Sequence, residues 1–135
     1  MASTLNFTSL PFAQGTSMAT GTTETTILTA DATYNRRLYG LAFTNSATQT
    51  PTATIRIKDG SNVTVSSFIV TTVTAVNVQT DIFNNTAASA LFQHQKDANG
   101  TPYFHIPATY YITAQMSANS TTGATFYCYG ETYGA

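Results

Sequence analysis

Between Ala53 and Lys58 the chain alternates strictly, with Ala53, Ile55 and Ile57 on one side and Thr54, Arg56 and Lys58 on the other. A period of two is the repeat of a β-strand that has one face in an apolar core and one in water. The pattern recurs from Thr22 onward, and no stretch carries the 3.6-residue repeat of a helix. Thr23, Thr25 and Ile27 alternate with Glu24, Thr26 and Leu28. Ile112, Ala114, Met116 and Ala118 alternate with Tyr111, Thr113, Gln115 and Ser117, and Phe126 and Cys128 with Tyr127 and Tyr129. From Thr33 to Asn45 both faces are apolar, Tyr39, Leu41 and Phe43 on one and Leu38, Gly40 and Ala42 on the other. A strand covered on both sides belongs in the middle of a sheet.

Turn residues divide these runs. Asp59-Gly60 reads as a two-residue hairpin turn, glycine taking the positive φ, before a return strand that starts at Val63 and Val65. Val73 to Phe83, Ala90 to His94 and Tyr103 to Ile106 are shorter β-rich runs, separated by Asn84 to Ser89 and by the turn-rich Lys96 to Pro102. Gly130 marks a bend or a close backbone approach. The expected fold is all-β: an antiparallel β-sandwich of about eight strands, with the jelly roll among its forms. Residues 1–21 lack the pattern and are read as an extended N-terminal arm, leaving residues 22–135 as the sandwich domain. The arm holds Leu5, Phe7, Leu10 and Phe12, apolar anchors suited to docking on a neighbouring subunit.

The polar faces of these strands are filled with hydroxyls in place of charges. Thr occupies 28 of 135 positions, whereas Asp, Glu, Lys and Arg together make 8% of the chain, against about 25% in an average soluble domain. Thr suits the pleat and keeps a face wet, and such a face costs less to cover than one of Lys and Glu. The surface therefore reads as one adapted to being packed against. The net charge of −1 and the single basic pair, Arg36-Arg37, offer nothing to a phosphate backbone, so no nucleic acid is expected. No apolar run approaches the ~18 residues of a membrane span. The first residues lack the basic and apolar regions of a signal peptide, so the chain is expected to be made and assembled inside a cell.

Candidate chemistry is sparse. His94 and His105 flank one loop, but a third zinc ligand would have to come from Asp97 or Cys128, at a spacing that matches no usual pattern. Asp97-Ala98-Asn99-Gly100 resembles the opening of a calcium loop without its closing glutamate. The six acids, Glu24, Asp31, Asp59, Asp81, Asp97 and Glu131, are scattered, and only a meeting of two in space would make a glycosidase pair. Cys128, the single cysteine, sits where a buried, inert thiol is expected. No catalytic residue, cofactor or metal is expected, and the chain is read as non-enzymatic. Tyr is concentrated toward the C-terminus, and Tyr103, Tyr110, Tyr127, Tyr129 and Tyr133 join the arm's apolar residues as candidate interface positions.

Three segments, Thr29 to Gly40 (TADATYNRRLYG), Ile55 to Gly60 (IRIKDG) and Ala108 to Ala114 (ATYYITA), carry a resemblance to the small Thr/Ala-rich β-sandwich virion proteins of tailed bacteriophages. It covers about residues 22 to 133 and rests on texture and strand order. It implies a virion location and a capsid decoration, or cement, protein that stabilises the phage head as a homo-oligomer, a trimer or dimer, on the major capsid protein or other virion proteins. A small tail or neck component, or a glycan- or receptor-binding module of a tail fibre or spike, is the alternative. No functional residue carries over from the resemblance.

Overall fold

A computed structural model describes residues 9–18, 22–45, 52–71, 79–81, 95–117 and 124–133. They form nine strands: β1 (Ser9–Met18), β2 (Thr25–Leu28), β3 (Asn35–Asn45), β4 (Thr52–Lys58), β5 (Thr64–Thr71), β6 (Gln79–Asp81), β7 (Phe104–Ile106), β8 (Tyr111–Met116) and β9 (Ala124–Tyr133). One sheet, A, runs β1-β9-β3-β6 with β7 also on β3, and the other, B, runs β2-β8-β4-β5. Every pairing is antiparallel. No described residue is helical. The all-β sandwich follows the alternation read in the sequence.

The pairs nest. β1 meets β9, β2 meets β8, β3 meets β6 and β4 meets β5, as though one long hairpin were folded over itself. The sandwich also begins earlier than the sequence pattern indicates. Ser9–Met18, inside the segment read as an arm, pairs with β9 along all ten residues. Pro11 and Gly15 within it hide the strand from sequence inspection, yet both are tolerable on an edge strand. Residues 1–8, with Leu5 and Phe7, lie outside the described residues, as do 72–78, 82–94 with His94, and Ala118.

The inner faces supply the core. Met18, Leu38, Leu41, Phe43, Ile106, Phe126 and Cys128 of sheet A face Ile27, Leu28, Ala53, Ile55, Ile57, Ile112, Ala114 and Met116 of sheet B. The Phe43 and Phe126 rings stack with centroids 5.3 Å apart. β4 alternates as its sequence demands, odd residues buried and even residues half-buried. β3 does not. Its register slips between Leu38 and Gly40, so Leu38 and Leu41, three residues apart, both reach the core and Tyr39 leaves the face shared by Leu41 and Phe43. A bulge adds one residue and inverts the parity beyond it.

The β4–β5 turn also differs from the two-residue reading. It is a five-residue loop, residues 59–63, in which Asn62 and not Gly60 takes the positive φ, at 66°. The Asp59 carboxylate explains it: Oδ1 accepts from the amides of Ser61 and Val63, both at 2.9 Å, and stabilises the longer loop. At the same end of the sandwich Arg36 is 4% exposed and donates to the carbonyls of Thr29 and Tyr110, tying the β2–β3 and β7–β8 connections together. Phe126→Ala should remove about 3–5 kcal/mol of stability, read by denaturant unfolding, because its ring is wholly buried between the sheets.

Candidate assembly surface

The outer face of sheet A is built by the half of β9 that does not enter the core. Phe126 and Cys128 point inward, and Tyr127 and Tyr129 between them are 45% and 47% exposed. Their neighbours in register are small: Gly15 and Ala13 on β1, Ala42 and Gly40 on β3. The two rings lie 6.1 Å apart on that low floor. A Cβ at Gly40 would overlap the outer end of the Tyr129 ring, which would have to shift. Gly130 is required, since its own Cβ would run into the Arg37 carbonyl where the strands close up at the bulge. The close approach expected at Gly130 is found.

Beside this platform lies a polar cluster centred on Arg37. Its guanidinium sits 5.1 Å from the Tyr103 ring centroid and 4.6 Å from that of Tyr133, and Nη1 meets Glu131 Oε1 at 2.9 Å. Glu131 accordingly raises the Arg37 pKa. The Tyr39 hydroxyl, delivered by the bulge, lies 2.9 Å from Asp97 Oδ2 and 3.0 Å from Glu131 Oε1. Its one proton serves either acceptor, and burial with the two carboxylates pushes its pKa up to about 12. Asp97 Oδ1 accepts from the Asn99 and Thr101 amides, which fixes the 97–101 loop against the sheet. The Thr101 amide leads in lowering the Asp97 pKa. Tyr133 and His105 Nδ1 share a hydrogen bond, and burial, then Arg37, lowers the His105 pKa.

The cluster brings two carboxylates, Asp97 and Glu131, to one hydroxyl. A glycosidase pair needs one of its carboxyls held protonated. Asp97 is pushed the other way, and Glu131 is ion-paired with Arg37. The pair orders a loop. Among the described residues no three His, Cys, Asp or Glu side chains gather to hold a metal. Cys128 is wholly buried, its Sγ 3.6 Å from the Ile27 carbonyl, and burial pushes its pKa up to about 12.

The candidate interface residues therefore separate. Tyr127, Tyr129, Tyr133 and Tyr103 share the outer face of sheet A or its margin. Tyr110 and Phe12 instead pack, half-buried, against the core. Leu10 is 62% exposed at the start of β1. Arg37, Tyr39, Gly40 and Glu131, which complete the face, carry no motif in the sequence; only the bulge brings them into place.

No protein-family model matches the chain, and no curated protein matches it in sequence. Solved structures do. The chain is similar to the subunit of the disulfide-linked pili that form Bacillus endospore appendages, at 14% identity and a TM-score of 0.51, covering 99% of this chain and 96% of that one. It is also similar to a chain of the cyanophage Pam1 capsid, at 13% identity and a TM-score of 0.48, covering 98% and 91%. A third likeness, to the T13 particle of infectious bursal disease virus, has 11% identity and a TM-score of 0.45, and this chain spans 32% of that protein. At these identities the pilus subunit attests the fold, and its disulfide linkage has no counterpart in the buried Cys128.

Two outcomes test this surface. Gly40→Ala should displace the Tyr129 ring and cost about 1–3 kcal/mol of stability in denaturant unfolding. His105 should titrate below 6.5 when followed by NMR. A His with a depressed folded pKa contributes fully above its unfolded value, so stability should fall as the pH drops below about 6.5.

Proposed function

We propose that this chain is a non-enzymatic structural subunit of a virus particle, a jelly roll that packs through the outer face of sheet A onto other virion proteins. The observation that carries the reading is the exposed Tyr127–Tyr129 pair on its floor of small residues. Tyr offers large contact area at low entropic cost and a hydroxyl that tolerates a wet rim. The nested strand pairs support the jelly-roll assignment, and the scarcity of charge supports a surface made to be covered. The role is that of a decoration, or cement, protein: an added interface across a junction opposes its opening by mass action.

Flat, exposed Tyr faces next to Arg37 and Glu131 also suit stacking on a sugar ring, which keeps a glycan-binding role in a tail fibre as the second reading. Co-sedimentation with empty capsids of the source virus separates the two. The wild-type chain should co-sediment, and Tyr127→Ser with Tyr129→Ser should lose at least tenfold in affinity while the far-UV spectrum stays unchanged. A chain that ignores capsids but binds a glycan array through the same two residues would transfer the face to the second reading.

A further inference from the structure

Sheet B ends in a strand whose one protective device is a bulge near its start. β5 pairs with β4 on one side, and no described strand pairs with its other side. Unpaired N–H and C=O groups along an edge recruit another strand, and soluble monomers blunt such edges with Lys, Pro or bulges. β5 reads TVSSFIVT, with no charge, no proline and no glycine, whereas β1, on the edge of sheet A, carries Pro11 and Gly15. The one irregularity of β5 is a bulge at Val65, which is left over between the pairs Lys58–Thr64 and Ile57–Ser66, and the ladder is regular from Ser66 to Thr71. Val65 and Ile69, at 49% and 58% exposure, place apolar surface along the same strand, and Val63, 56% exposed, extends it into the loop before it.

We propose that β5 pairs antiparallel with β5 of a second copy about a two-fold axis at Ser67, joining two four-stranded sheets into one of eight. This deepens the reading of the chain as an assembling subunit and rests on it. The sequence is self-complementary about that point: with Ser67 opposite Ser67, Val65 of each copy faces Ile69 of the other. Val65, Ser67 and Ile69 are all exposed, and a two-fold interface requires such self-matching. Charge favours a second copy as the occupant. An uncharged strand meets itself without opposing like charges, and the nearest cations, Arg56 and Lys58, are engaged by Glu24. Arg56 lies in register with Ser67, so the two Arg56 side chains stand three strand spacings apart, about 14 Å. That exceeds the screening length of about 8 Å at physiological salt.

The full chain carrying Ser67→Cys, treated with a short bismaleimide, should give a covalent dimer, with Cys128 silent because it is buried. Chains with Val65→Cys and with Ile69→Cys should cross-link when mixed and not when alone, since only the 65–69 pair is juxtaposed. Ile69→Lys should halve the mass measured by light scattering. A monomeric mass for the wild-type chain, or an oligomer in which Ser67→Cys stays uncross-linked, would overturn the proposal. Capsid co-sedimentation that still depends on Tyr127 and Tyr129 would leave the function of sheet A standing in either case.

Discussion

The last strand in the chain holds the fold together. β9 lies between β1 and β3 and hydrogen-bonds to both. Its inward residues, Phe126 and Cys128, close the core against sheet B, and its outward residues form the aromatic face. Until β9 arrives, β1 has no partner among the described strands and β3 keeps only its short pairings with β6 and β7. Pairs such as Ser9 with Tyr133 span nearly the whole chain, and loops of that length cost entropy before any contact repays it. The nested order makes the sandwich a late, cooperative product, in which the core and the outer face appear together.

Within that frame the bulge in β3 sets the character of the outer face. A regular β3 would hold Tyr39 on one face with Leu41 and Phe43. Inserting one residue releases Tyr39 to the Asp97–Glu131 pair and puts Gly40 under the Tyr129 ring. The Gly130 backbone closes against Arg37 at the same point. A single extra residue thus sets the Arg37 cluster beside the Tyr platform and anchors the 97–101 loop to the sheet through Asp97.

How much of this was legible in the sequence follows from what alternation can encode. β4, β8 and β9 were readable because each buries one face regularly, so a period of two is written directly into Ala53-Ile55-Ile57, Ile112-Ala114-Met116 and Phe126-Cys128. β1 was not, because an edge strand accepts Pro11 and Gly15, residues that read as breakers. The bulge was invisible, since β3 is apolar on both faces and a shift of parity leaves such a pattern unchanged. The loop at Asp59 was misread because the short Asp-Gly signal says nothing of a carboxylate that binds two later amides. The aromatic face was half legible: Tyr127 and Tyr129 stood out, but the small residues beneath them gain meaning only from register.

Nine of the eleven charged residues in this molecule are committed to internal geometry. Glu24 gathers Lys58 and Arg56, Glu131 holds Arg37, Asp31 caps the amides of Thr33 and Tyr34, and Asp59 and Asp97 each bind backbone amides of their own loops. Arg36 is spent on two carbonyls inside the sandwich. Lys96 is the remaining cation, exposed at its bridge with Pro102. What the described strands offer the outside is mostly hydroxyl, methyl and phenol. Stripping water from such groups costs far less than desolvating ions, so contact with a neighbour faces a low barrier. The same surface carries little net charge to hold copies apart, with a formal −1 over the chain. A domain that fixes its own loops with charge and leaves its faces largely neutral is physically suited to being covered by other protein.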